Sequence, residues 1–160
     1  MSSTTKTLLI IIAAVLGVAL LIAGGAWYWW RQNASEFLDA GAAAIAEGQN
    51  SGRGADEAGC MAAALERHKA DGSKRMGAAV RNNLWLTACL DASKAKEKFC
   101  DGVPAHDSLL AVGAWAGASC VQQGFADPYC GNLFAVVTKY CSSPQRVEKL
   151  KADGKAQTAG

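Results

Sequence analysis

Positions 8–30 are apolar without a single charged residue, and beyond them apolar positions recur at helical rather than alternating spacing. At about 1.5 Å per residue, 23 residues span a hydrocarbon core of roughly 30 Å with a little to spare. The run ends in Trp27, Tyr28, Trp29, Trp30 and then Arg31. Amphipathic rings and a cation belong where lipid headgroups begin, so these five residues are the expected membrane interface. A cleavable signal peptide is the rival reading, with Gly24, Gly25 and Ala26 as small residues for a peptidase, although its apolar stretch is usually shorter.

Residues 34–47, with Phe37, Leu38 and Ile45, favour helix, and the following GQNSGRG reads as a flexible break. Helices are then expected near 55–70, 74–92, 106–123, 128–141 and 144–152. No stretch alternates apolar and polar residues over a useful length. Asp56, Ser73, Asp107 and Asp127 mark helix starts, the last followed by Pro128. Gly72, Gly102 and Gly124 punctuate the connections.

The stripes assign faces. In the helix over 128–141, Cys130, Phe134, Val137 and Cys141 fall at intervals of four, three and four, widened by Tyr129, Leu133, Val136 and Tyr140. Over 74–92 one stripe holds Met76, Val80, Asn83, Thr87 and Leu90, while another side presents Trp85 beside Cys89; two occupied faces place this helix at the centre. Over 106–123, Leu109, Val112, Gly113, Ala116 and Cys120 make a core stripe. Trp115 is expected nearly opposite, among Ala111, Ala114, Ala118 and Gln122, as a flat surface suited to another helix, and tryptophan is enriched at binding hot spots.

The six cysteines all lie beyond the apolar run, at Cys60, Cys89, Cys100, Cys120, Cys130 and Cys141. An even number in a small exported domain suggests a disulfide framework in an oxidising compartment. Zinc, iron–sulfur, covalent haem and thioredoxin-like chemistry bring cysteines closer together than any gap here. Cys130 and Cys141 lie about 16 Å apart along one helix, beyond the reach of a disulfide. An antiparallel hairpin across 124–128 favours Cys120 with Cys130, and the same logic favours Cys60 with Cys89 and Cys100 with Cys141. Cys89 with Cys100 and Cys60 with Cys141 is the close alternative. The Cys120 to Cys130 spacing resembles one half of the twin Cx9C helical hairpins of the mitochondrial intermembrane space; the gaps at Cys89–Cys100 and Cys130–Cys141 hold ten residues, so the resemblance is confined to one hairpin and implies no function.

The chain is 51% apolar and 19% charged, with a formal charge of +2. That charge comes from Lys6 and Arg31, because beyond Arg31 fourteen basic residues face fourteen acidic ones. A neutral domain gives no nucleic-acid footprint. Lys6 against Arg31 leaves orientation undetermined by flanking charge, so cysteine usage decides it. His68 shares an apolar face with Met61 and Leu65, His106 precedes a helix near Ser108, and Asp91, Asp101 and Asp107 sit at helix ends. No nucleophile–base–orienter set, phosphate loop, dinucleotide fingerprint or His-Glu-x-x-His is present, so no catalytic, cofactor-binding or metal-ligating residue is assigned.

The expected fold class is all-α, a transmembrane helix followed by a small disulfide-stapled bundle of four to five helices. Residues 1–31 form the anchor, 32–54 a juxtamembrane helix and flexible linker, 55–152 the disulfide-linked domain and 153–160 a disordered tail. The expected setting is the inner (cytoplasmic) membrane with the domain in the periplasm, in contact with the lipid bilayer and a protein partner in a cell-envelope membrane complex. The expected role is structural, that of an accessory subunit. A small-ligand or thiol–disulfide redox module is one alternative. A pilin-like filament subunit is another, although the glycine before the apolar run and the glutamate inside it that mark pilin processing are missing.

Overall fold

The computed structural model describes residues 3–71 and 75–158, with side chains over 11–32, 34–71 and 75–153; the expected Gly72 connection and Ser73 cap lie outside the described residues. The chain is all-α. Helix α1 covers Ser3–Arg53, α2 Glu57–Ala70, α3 Met76–Ala92, α4 Leu109–Gln122, α5 Cys130–Cys141 and α6 Pro144–Thr158, with a 3₁₀ turn at Glu97–Cys100. Residues 1–39 and 40–160 are two separate compact units.

In the first unit, Ile11–Gln32 is long and apolar enough to cross a membrane. Trp27, Tyr28, Trp29 and Trp30 are between 49% and 70% exposed within the protein. Four consecutive helical residues step about 100° each, so their rings encircle the helix. Such a girdle suits a helix that passes through an interface better than one lying flat in it, where a single side would be aromatic.

The second unit corrects one expectation. The glycine-rich stretch 48–54 is not a flexible break: α1 stays helical through Arg53. Its small residues are there for packing. Ala44, Gly48 and Gly52, four apart, are buried on the side facing α3. A Cβ added at Gly48 would run into the backbone carbonyl of Trp85, and one at Gly52 into that of Cys89, with Ala88 and Ala92 beside them. Glycine at these positions lets two backbones touch, which restores by packing the helix stability that glycine forfeits.

Helix α3 is central, as its two occupied faces imply, but the faces differ in detail. Met76 and Val80 of the expected stripe are exposed, whereas Ala78, Ala79, Asn82, Trp85, Leu86, Cys89 and Leu90 are buried. Trp85, Leu86, Cys89 and Leu90 share one core with Cys60 and Ala64 of α2 and Leu133, Val137 and Tyr140 of α5. The α5 stripe is as read from the sequence, with Cys130, Phe134 and Val137 buried.

All three favoured pairings form: Cys60–Cys89, Cys100–Cys141 and Cys120–Cys130. The first fastens α2 antiparallel to α3, the second the 3₁₀ turn to the end of α5, the third α4 to α5. Each contributes on the order of 2–4 kcal/mol by restricting the unfolded chain.

Helix α6 continues to Thr158 where a disordered tail was expected from 153 onward, and residues 159 and 160 lie outside the described residues. Side chains from α6 tie it to the rest. Buried Arg146 donates to Glu57 Oε1 at 2.9 Å and to the Lys96 carbonyl at 2.8 Å, while the Lys96 amide donates to Glu57 Oε2 at 2.7 Å. Asp153 accepts from the Ala95 amide at 2.9 Å. Glu57 is fully buried and both of its carboxylate oxygens accept hydrogen bonds; removing either residue alone would leave an uncompensated charge.

Two outcomes follow from the packing. Gly52→Ala is expected to lower stability by about 1–3 kcal/mol through overpacking, despite the better helix former, whereas Gly77→Ala, which meets only the far end of Arg81 at 3.8 Å, loses none; thermal unfolding of both variants checks this. Graded reduction followed by alkylation and peptide mass mapping is expected to label Cys100 and Cys141 first. They are half-buried, whereas the other four cysteines are at most 6% exposed; simultaneous labelling of all six would contradict the ordering.

Candidate functional site

Helix α4 carries no charged residue, and the uncharged stretch runs from Ser108 to Ala126. A helix that is apolar on every side needs cover on every side. It obtains cover on one. Only Ala116 and Cys120 are buried, with Val112, Trp115 and Ser119 half-buried around them. This strip meets α5, to which the Cys120–Cys130 bridge fixes it.

The turn between them is built locally. Gly124 has φ +78°; its amide donates to the Val121 carbonyl at 3.0 Å and that of Phe125 to the Cys120 carbonyl at 3.0 Å. This left-handed stop closes α4 and folds Phe125 back onto Cys120. Asp127 then opens α5: its Oδ1 accepts from the amides of Tyr129 at 2.9 Å and Cys130 at 3.1 Å. The same carboxylate meets Nε2 of His68 at 2.9 Å, and the His68 ring, 2% exposed, stands edge-on to Phe125 at 5.2 Å. His68 is thus a buried partner of a helix cap, tying α2 to the α4–α5 turn. Burial alone would raise the Asp127 carboxyl; the His68 hydrogen bond, the Tyr129 amide, the His68 charge and the Cys130 amide together outweigh it and hold the group below its ordinary range.

The expected interaction residues separate. Ala111, Ala118 and Gln122 are exposed. Trp115 is not: it is half-buried, edge-on to Phe134 with ring centroids 5.4 Å apart, and packs against the core of Ala116, Cys120, Cys130 and Phe134, as Met61 and Leu65 of α2 also do. The tryptophan sits at the edge of the buried strip, and a side chain this large reaches round the helix to the apolar surface of α5. Leu109, expected in the core, is 80% exposed, and Gly113 is exposed too. The outward face is therefore Leu110, Ala111, Ala114, Gly117, Ala118 and Val121, with Leu110 91% and Val121 74% exposed. An added Cβ at Gly113 or Gly117 would meet nothing within 4 Å. Each of these glycines costs about 1 kcal/mol of helix stability relative to alanine, and no contact with the described residues explains them. Between α4 and α5 a shallow groove of about 500 Å³ borders the same face, lined by Val112, Gly113, Gly117, Val121, Pro128 and Gly131 among others.

A second concavity, about 660 Å³, lies between α3, α5 and α6 and includes Asp91, Lys139, Tyr140, Glu148 and Lys149. Burial lowers the Lys149 ammonium from its ordinary range, and burial together with the Glu57 charge raises the Tyr140 phenol. Lys149 is nevertheless committed to the protein: Nζ donates to the Leu90 carbonyl at 2.7 Å, to Tyr140 Oη at 3.1 Å and, more weakly, to the Asp91 carbonyl at 3.4 Å. It closes the C-terminal end of α3, where a cation is favourable. His106 donates its backbone amide to Ser142 Oγ at 3.1 Å, and Ser108 makes no side-chain cap. Among the described residues no three His, Cys, Asp or Glu side chains gather as a metal-binding group.

The Asp127 carboxylate gives a pH test. Its folded pKa lies below its ordinary 3.8, so its stabilisation is present above that value and is lost as pH falls through the lower folded one. Asp127→Ala is expected to cost about 1–2 kcal/mol near neutral pH through the lost cap and the stranded histidine. That deficit should shrink below pH 3.8. Denaturant melts of both proteins across pH 2–7 measure it, and a deficit that stays constant over the range contradicts the assignment.

Comparison with known proteins finds no matching family model, no matching curated protein and no matching solved structure.

Proposed function

We propose that this chain is a single-pass, membrane-anchored subunit with a structural role, whose disulfide-linked helical domain docks on protein in a cell-envelope complex through the outer face of α4. The anchor is set in the inner membrane and the domain lies in the periplasm. The apolar helix with its aromatic girdle supports the anchor, and three disulfides suit an oxidising compartment. The docking face rests on one observation: a charge-free helix buries one strip and leaves Leu110, Ala111, Ala114, Gly117, Ala118 and Val121 in solvent. Contiguous exposed apolar patches on folded domains mark contact sites, and the partner must present a surface equally free of charge, because an unpaired charge opposite this face would be desolvated without compensation.

The chain extracted from its native membrane in mild detergent is expected to migrate in a complex well above its own 16.6 kDa. Ala118→Glu should release it from that complex while changing domain stability by no more than about 0.5 kcal/mol, as exposed substitutions do. Native electrophoresis beside thermal melts reads both quantities. A complex that survives the added carboxylate would rule out α4 as the docking face.

A further inference from the structure

Helix α6 is held to the domain by long polar side chains rather than by close packing. Arg146 reaches Glu57, Lys149 reaches the Leu90 carbonyl and Asp153 takes the Ala95 amide, while Val147 stays 49% exposed. Helix α1, by contrast, meets α3 backbone to backbone at Gly48 and Gly52. Helices joined at the length of a lysine or an arginine leave space between them, and the cleft of about 660 Å³ between α3, α5 and α6 is that space. Its volume falls within the range of sites that take a small organic molecule. The base is apolar, formed by half-buried Val136 and the buried ring of Tyr140. Around it each helix contributes one exposed charged group: Asp91 from α3, Lys139 from α5 and Glu148 from α6. None of these three side chains enters an ion pair with a described residue.

We infer that this cleft binds a small zwitterion with an apolar body, an α-amino acid or short peptide bearing a free ammonium and a free carboxylate. Asp91 and Glu148 recognise the ammonium, Lys139 the carboxylate, and the body between them covers Val136 and the Tyr140 ring. Lys149 is not among the recognising groups, because its hydrogens are spent on Leu90, Asp91 and Tyr140. It holds the tyrosine and α6 in place before a ligand arrives, so less order has to be imposed on binding. Charge decides the class of ligand. A dicarboxylate would meet two acids and one free cation, a diamine would be repelled by Lys139, and a neutral molecule would cover three charges without compensating any of them. A molecule carrying both signs matches all three. The cleft lies apart from the outer face of α4, so the inference goes beyond the docking reading and does not depend on it.

Equilibrium dialysis of isotopically labelled L-phenylalanine, and separately of labelled L-alanyl-L-phenylalanine, against the full chain in detergent tests this, with micelles alone as the blank. At least one probe is expected to be retained with a dissociation constant on the order of 0.1 mM, ordinary for a ligand of this size. The tighter of the two tells whether a free amino acid or a peptide is the source. Retention of neither would overturn the site. N-acetyl-L-phenylalaninamide keeps the ring and lacks both charges, and it should not displace the probe; displacement as effective as by the unlabelled zwitterion would overturn recognition by charge. Ala152→Trp, at an exposed position lining the cleft, is expected to abolish retention, and Asp91→Asn and Lys139→Met to weaken it roughly tenfold each, with thermal melts matching the parent chain. Retention unchanged in all three variants would put the ligand elsewhere on the protein and overturn the inference.

Discussion

Cys89 is the point on which the domain turns. Its backbone carbonyl lies against Gly52 of α1, and its sulfur is bonded to Cys60 of α2. One residue of α3 thus holds a neighbour on each side, one by close packing and one by a covalent bond. The two constraints differ in kind: the bridge limits how far the unfolded chain can spread, whereas the glycine contact determines how closely the folded helices approach. Trp85 and Gly48 repeat the close approach one turn earlier, so α3 is aligned along its length. Leu86 and Leu90 are completely buried as a result.

The end of the domain is organised by polar groups. Glu57, Arg146, Lys96, Lys149 and Asp153 join the start of α2, the loop after α3 and the length of α6. Buried charges rarely contribute more than well-packed hydrophobes of the same volume, but they tolerate little misplacement. Here they fix the position of a helix whose own sequence has little apolar surface to bury. The His68–Asp127 pair does the corresponding work at the α4–α5 turn, where one carboxylate serves two backbone amides and an imidazole.

Helix α4 stands apart from this economy of contacts. Every other helix of the domain has a polar side turned to solvent or a small side turned to a neighbour, but α4 has neither charge nor cover on its outer half. Its attachment is firm, through Cys120–Cys130, the Gly124 stop and the Trp115–Phe134 contact. A rigid support with an unsatisfied surface is the arrangement a docking element needs, because little conformational freedom remains to be lost on association.

The sequence by itself determined the elements that depend on local pattern. An uncharged run with terminal aromatics makes the apolar helix, Asp56, Asp127 and Gly124 mark the helix ends at which they stand, and reach along a helix excludes Cys130 with Cys141 while antiparallel hairpins favour the three bridges that form. Tertiary structure decided what local pattern cannot distinguish. Glycine at 48 and 52 has the composition of a loop and becomes helix only because α3 supplies a surface for its bare backbone; the four-residue spacing of Ala44, Gly48 and Gly52 was the available signal. Trp115 lies at a boundary angle on its helix, and whether it turns in or out depends on the presence of Phe134, nineteen residues away. Glu57 and Arg146 are separated by 89 residues, and a charge pair at that distance leaves no trace in periodicity. Energies that arise within a few residues are written in the sequence; those that require two distant surfaces to meet exist only once the chain has folded.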